Sequence, residues 1–312
     1  MTKLKTWGQC VKYTASNRYQ WITGNGARAQ LFNCEHVSRI IGKSFPVTQL
    51  DRTVMHKIIS AMTHEHKAPA TINKIISAVS TVLNYCFDSG VITHTLPSFK
   101  GLRLKVPKQH VKVYTMDEVT RLVNSALNDF NKPKLADAII VQSSTGMRLG
   151  EFLQIEVKDV DFHNHFLKIG GRKDFISKGQ GAGGVPIAPN SPIYQLLQNR
   201  SLNQPNNKKL FGDDWSSRYE ISRAFTAVAE YAVPEKAYPI KYLRHTFCTT
   251  LIEQGIPLVT VQDLCDHSTM DVTLRYARAT NQAKREAILA LAQAQRESGF
   301  DQIKSTLALP LG

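Results

Sequence analysis

The sequence has no long hydrophobic run. Its apolar stretches, of which ADAIIV and AILALA are typical, fall far short of the ~20 residues a membrane helix needs, and the N-terminal MTKLKTWGQC lacks the apolar centre of a secretory signal. A cytoplasmic protein is the expectation. Cysteine is scarce and scattered: Cys10, Cys34, Cys86, Cys248 and Cys265 are odd in number and form no Cys-x-x-Cys pair, which argues against a disulfide framework and against a zinc cluster. They read as small, reduced, apolar residues. The histidine pairs of THEHK (His64, His66) and FHNHF (His163, His165) have no carboxylate or thiol partner nearby in sequence and read as solvated. A two-metal carboxylate cluster is also missing. Acidic residues are rare in the first third: residues 1 to 110 hold 15 Lys and Arg against 4 Asp and Glu, a balance of +11, whereas residues 111 to 312 hold 24 against 21, only +3.

What is present is a globular composition, 42% hydrophobic and 21% charged, in a chain of 312 residues, long enough for two domains. The concentrated positive charge of the N-terminal third points to a polyanion, because each phosphate it neutralises releases condensed counterions. Helical spacing dominates there. TVMHKIISAM sets Val54, Ile58, Ile59 and Met62 on one face, and INKIISAVSTVLNYCFDSG does the same with Ile72, Ile75, Ile76, Val79, Val82, Leu83 and Phe87, ending at Gly90. Residues 98–113 then carry Lys100, Arg103, Lys105, Lys108 and Lys112 with no acid, and Pro107 discourages a helix. This stretch reads as a basic linker suited to a phosphate backbone.

A second domain opens at TMDEV, a capping-box pattern of Thr115 and Glu118. KLADAIIVQSSTGMRLGEFLQI reads as helix, turn, helix; HFLKIGG and GGVPIAP are short strands around a glycine-rich stretch; helical spacing then returns. The expected organisation is a helical domain over 1–97, the linker over 98–113, a mainly helical domain with a small antiparallel sheet over 114–280, and a terminal helix and tail over 281–312.

Three clusters in the second domain carry chemistry. TGMRLGE places Arg148 beside Gly146, KYLRHTF places Lys241 and Arg244 three apart on one helix face, and DHSTMDVTLRY places Tyr276 nine residues after His267, with His267 at the start of the helix that carries Tyr276. Any one of these residues alone is ordinary surface or core. Together and in this order they resemble the tyrosine recombinase, or phage integrase, family. TGMRLGEFLQIEVKDVDF is similar to its first box, with Arg148 as first catalytic arginine and Glu151 as a supporting acid. KYLRHTFCTTLIEQGIPLVTVQDLCDHSTMDVTLRYARAT is similar to its second, with Arg244, His267 and the nucleophile Tyr276. SKGQGAGGVPI is similar to the hairpin that bears the catalytic lysine, which the Val-Pro-Ile register assigns to Lys178, with Lys173 as competitor. The resemblance covers about residues 114–280, and more loosely the basic helical region before it.

It implies a tyrosine recombinase fold and a DNA strand transferase of type IB topoisomerase-like chemistry. Tyr276 would form a 3′-phosphotyrosine while Arg148 and Arg244 grip the phosphate in forked geometry, and the ester would conserve the bond energy, so that no metal and no ATP is needed. Expected partners are double-stranded attachment-site DNA, further copies of the chain in a tetramer, and accessory DNA-bending proteins. The function implied is integration or excision of a phage or mobile element; dimer resolution and binding without cleavage are the alternatives. The chain departs from the family pattern at Lys241, where histidine is usual. An ammonium can hold a phosphate oxygen but accepts a proton only if strongly depressed. His245 is not expected to stand in, since adjacent helical positions point in different directions.

Overall fold

The computed structural model of the chain describes residues 3–22, 26–107, 111–172, 175, 183–276 and 281–298, for 281–287 the backbone only. The chain divides into two compact units, residues 1–109 and 110–312.

The first unit is built from α1 (Trp7–Asn17), α2 (Tyr19–Ile22), α3 (Ala27–Ile41), α4 (Arg52–His64) and α5 (Pro69–Asp88). Side chains start these helices. The Thr6 hydroxyl accepts from the Gln9 amide while Gln9 reaches back to the Thr6 amide, and Asp51 accepts from the Val54 amide at 2.8 Å. Pro69 opens α5, where a missing N–H costs nothing. Trp7, Val37, Met55, Ile58, Met62, Ile72, Ile75, Val79, Val82 and Leu83 form its core.

The apolar faces read from sequence hold with two corrections, at the start of α4, where Met55 is fully buried and Val54 only partly, and at the end of α5. Phe87 is 43% exposed, and Cys86 is buried in its place, its thiol 3.6 Å from the Thr14 hydroxyl of α1. The basic stretch 98–107 lies against this unit: Leu102 is buried, Asn73 bonds both the amide and the carbonyl of Leu104, and Arg52 donates to the Lys100 carbonyl. Lys100, Arg103 and Lys105 keep exposed side chains there; Lys108 lies outside the described residues.

The second unit begins with α6 (Met116–Asn124), whose capping box is complete: the Glu118 amide donates to the Thr115 hydroxyl and the Thr115 amide to the Glu118 carboxylate. Then come α7 (Pro133–Thr145), α8 (Leu149–Phe152), strands β1 (Val160–Asp161), β2 (Phe166–Ile169) and β3 (Gly183–Pro186), and helices α9 (Pro192–Ser201), α10 (Arg218–Ala232), α11 (Tyr242–Glu253), α12 (Leu258–Leu264), α13 (Met270–Leu274) and α14 (Asn281–Glu297). The strands form an antiparallel meander with Leu167 opposite Val185. The mainly helical class with a small antiparallel sheet is therefore as expected.

The middle of this unit is α7, packed against α6, α9, α10 and α11. Leu135, Ala136, Ala138, Ile139 and Val141 are all buried, and so are the polar Gln142 and Thr145 of its last turn, as suits a helix packed on several sides. It stops at Gly146, whose φ of +62° is cheap only for glycine, and a Cβ there would run into the Phe247 ring of α11. No described helix is long and apolar enough to cross a membrane.

These facts separate two neighbouring glycines. Gly146→Ala should lower the unfolding free energy by about 2 kcal/mol or more, from backbone strain and overpacking together. Gly150→Ala, in open space on α8, should be neutral or slightly stabilising. Urea unfolding of the two variants beside the parent chain measures the contrast.

Candidate active site

Turns and helix ends of the second unit converge on Arg244. Its guanidinium, half-buried on α11, donates from Nη1 to the Gly146 carbonyl at 2.7 Å and from Nη2 to the Cys265 carbonyl. The first acceptor caps α7 and the second ends α12, so one side chain ties together the two places where the motif residues leave their helices. Both acceptors are peptide dipoles, and the charge is oriented without being neutralised by a carboxylate.

Arg148 precedes α8 and is held differently. The Glu151 carboxylate accepts the Arg148 amide at 2.8 Å through Oε2 and its Nη1 at 2.7 Å through Oε1. Asp266 accepts Nη1 at 2.9 Å through Oδ2 and Nη2 at 2.8 Å through its carbonyl. Burial alone would lower the pKa of this guanidinium, but Glu151 and then Asp266 raise it overall, so it stays charged. Three of its five donors are engaged in these bonds; among the described residues the Nε–H and one Nη2–H are left for an anion. Glu151, expected only as a supporting acid, holds Arg148 by both its amide and its guanidinium. Asp266, at a left-handed φ of +46° that aspartate tolerates, is a partner that no sequence pattern here announced.

Lys241 is exposed at the N-terminal end of α11. A cavity of about 210 Å³ is lined by Arg148, Lys241 and Arg244 together with Gln142, Met147 and Ser222. Three cations from two distant stretches of the sequence therefore face one hollow. A larger hollow of about 620 Å³, lined by Lys132, Lys134, Asp214 and Trp215, contains none of these residues.

His267 and Tyr276 bracket α13 instead of starting and riding on it: His267 lies three residues before its first residue and Tyr276 two after its last. The expectation that His267 begins that helix is corrected. Asp266 turns the chain through its positive φ, and Thr269 is the residue that precedes the helix. The two rings nevertheless stack, with planes 3° apart and centroids 6.1 Å apart. His267 is 9% exposed, and its Nδ1 lies 2.9 Å from the Thr273 hydroxyl. Burial first, then Arg244 and Arg148, push its pKa down to about 4, so the ring is neutral at pH 7.

The Tyr276 hydroxyl is 2.9 Å from Nδ1 of His245. Burial and the nearby Cys248 thiol raise the phenol above its ordinary range, with Arg244 acting the other way. Burial, then Lys241, Arg244 and Arg275, bring His245 to about 4. The divergence of adjacent helical positions is what delivers His245 here: Arg244 faces the cavity while His245 faces the tyrosine.

Beneath the rings lie the Cys248 and Cys265 thiols, 2.8 Å apart and buried, with ligand atoms of these two and of His267 all within 4.8 Å. A tetrahedral zinc with Zn–S near 2.3 Å would hold two sulfurs roughly 3.8 Å apart, so these sit too close for an ion between them. They belong to a small apolar cluster with Val261, on which Tyr276 packs. Lys178 and its competitor Lys173 lie outside the described residues. Lys112 is exposed, with its ammonium 5.1 Å from the Tyr238 ring centroid.

Residues 112–283 match the model of the phage integrase family. The chain belongs to that family. Among curated members it is 26% identical over 266 residues to a tyrosine recombinase of Thermosipho africanus, covering 80% of this chain and 87% of the relative. It is 24% identical over 295 residues to an integrase of a Staphylococcus phage, covering 81% and 82%. Among solved structures, the Tn1549 transposon integrase in complex with transposon right end DNA superposes with a TM-score of 0.72 at 19% identity, over 92% of this chain and 99% of that one. The fold expected of a tyrosine recombinase is thus the fold observed.

Both neutral imidazoles have consequences for stability. Their folded pKa values, about 4, lie below the ordinary 6.5, so the unfolded chain binds more protons between these limits. The stability they contribute is complete above about pH 6.5 and is lost as pH falls through about 4. Melting temperature followed by circular dichroism from pH 7 to pH 4 should therefore fall less steeply for His245→Asn and His267→Gln than for the parent chain.

Proposed function

We propose that this phage integrase family member is a site-specific DNA recombinase of the integrase type, which cleaves and rejoins duplex DNA through Tyr276. The observation that carries the reading is the convergence of Arg148, Lys241 and Arg244 on one cavity, with Arg244 also acting on the stacked pair His267 and Tyr276. Three cations around a small hollow suit one phosphodiester. The two arginines would grip its nonbridging oxygens as the charge on phosphorus develops, and preorganised donors of this kind are worth roughly 3 to 4 kcal/mol each in the transition state.

When the Thr273 hydroxyl donates to Nδ1 of His267, the proton of that ring is on Nε2 and becomes a further donor to the same phosphate. Lys241 contributes charge to the cavity; as an exposed ammonium it supports phosphate binding and not proton acceptance. Attack by the Tyr276 oxygen gives a 3′-phosphotyrosine, and the 5′-oxygen leaves as a hydroxyl, protonated in the family by the lysine that Lys178 matches. A 5′-hydroxyl of a partner strand reverses the reaction. No step calls on ATP or a metal.

Exposed Lys100, Arg103, Lys105 and Lys112 would contact the DNA backbone. Ile288, Leu289 and Leu291 of α14 are 65%, 68% and 54% exposed, which supports that helix as a contact between copies, with a tetramer on DNA as the assembly.

Two measurements test the reading. A nicked suicide duplex, carrying the core sequence selected from a randomised pool by binding to the Tyr276→Phe protein, should give a covalent adduct in EDTA without ATP, located on residue 276 by mass spectrometry. Tyr276→Phe should give none, and Arg148→Ala and Arg244→Ala should form it on the order of a hundredfold or more slowly. Tight binding without any adduct would leave a DNA-binding protein in its place. Replacing Lys100, Arg103, Lys105 and Lys112 together by Gln should flatten the dependence of log Kobs on log salt by up to about 3 to 4, at about 0.9 for each phosphate no longer neutralised. An unchanged slope would remove the linker from the DNA interface.

A further inference from the structure

The recombinase reading leaves one step without an agent in this chain. The Tyr276 phenol is held above its ordinary pKa, and position 241, where the family usually has a histidine, holds an ammonium. Something must take the phenolic proton as the oxygen attacks phosphorus. The residue in contact with that oxygen is His245, with Nδ1 at 2.9 Å. Resting on the recombinase reading, we infer that His245 is the catalytic base of this enzyme: its Nδ1 takes the Tyr276 proton during cleavage and returns it during rejoining.

The balance of the step is complete. With the ring proton on Nε2, Nδ1 offers its lone pair to the phenolic O–H; as the phenolic oxygen forms its bond to phosphorus, the proton passes to Nδ1 and the ring becomes imidazolium. The bond between phosphorus and the 5′-oxygen breaks, its electron pair stays on that oxygen, and a separate acid protonates it. In rejoining, a partner 5′-hydroxyl attacks and gives its proton to the conjugate base of that acid, the phenolic oxygen leaves with the electron pair, and the imidazolium returns its proton to it.

The surroundings keep the ring in its accepting form. Burial first, then Lys241 just before its helix, Arg244 on it and Arg275 beside the tyrosine oppose its protonation; the Tyr242 and Tyr276 rings lie 4.8 and 5.4 Å from it, and neutral His267 stacks on Tyr276. Near pH 7 an empty site therefore holds neutral imidazole. A base with a pKa of about 4 is weak, but the scissile phosphate supplies the correction. Its negative charge, seated between Arg148, Lys241 and Arg244, offsets the cations that depress His245 and raises its basicity when substrate is bound. The site becomes a better base at the moment a phosphate occupies it.

The test separates proton transfer from positioning. Asparagine at 245 places an amide oxygen where Nδ1 now sits, so the tyrosine keeps its hydrogen bond while the proton acceptor is gone. Single-turnover adduct formation on the same nicked suicide duplex should slow about a hundredfold or more at pH 7 in His245→Asn, with duplex affinity and melting temperature near those of the parent. Incorporating 3,5-difluorotyrosine at position 276, whose phenol is a stronger acid than that of tyrosine and depends less on a base, should restore much of that loss in the variant and change the parent little. The acidic limb of the parent's pH–rate profile should vanish with the substitution.

A parent-like rate in His245→Asn, or a slow variant that difluorotyrosine does not rescue, overturns the assignment. Should His245→Asn fail to fold, His245→Gln carries the same test: slow adduct formation that difluorotyrosine restores supports a base at 245, and a parent-like rate counts against it. A parent that forms no adduct removes the recombinase reading itself, which distinguishes the two failures.

Discussion

A half-buried cation held by two peptide carbonyls is the constraint on which this active site depends. Arg244 bonds the end of α7 to the end of α12, so the first and second motif boxes, about a hundred residues apart in sequence, meet on one guanidinium. Because its acceptors are dipoles and not carboxylates, its charge remains available. That single charge lowers the basicity of His267 and His245 and partly counters the effect of burial on Tyr276. An arginine suits the place better than a lysine, since a planar fork can serve two fixed carbonyls and still present donors elsewhere.

The scaffold makes that bond possible by packing α7 against α11. α7 and α11 pack closely because Gly146 has no side chain to hold them apart at the point where the Phe247 ring crosses. The same residue supplies the left-handed turn that ends α7 and the carbonyl that Arg244 needs. Backbone conformation, helix packing and charge placement are thus settled at one position.

Much of this was legible in the sequence, and the reasons are physical. Helical periodicity located the core faces of α4 and α5, because a buried stripe must recur every turn; it erred at Phe87, where the last turn of α5 presents Cys86 to α1 instead. The order and spacing of Arg148, Arg244, His267 and Tyr276 carried the family. Spacing did not carry contacts across the fold. Asp266 meets Arg148 over 118 residues, and His245 meets Tyr276 over 31, and neither pair leaves a periodic trace. The short α13 was also hidden, since a five-residue helix between two functional residues reads like the first turns of a longer one.

The way Arg148 is held has a consequence for what the empty enzyme ignores. Arg148 and Arg244 bring two positive charges to the centre, and Glu151 and Asp266 bring two negative ones. Lys241, exposed at the rim, and Arg275 beside Tyr276 are the excess. Free inorganic phosphate and mononucleotides would meet a centre whose positive charge is largely offset, whereas on the recombinase reading a duplex would also meet the basic residues of the linker. Occupancy of the pocket would then favour a polymer over small competitors, against which its own carboxylates would shield it.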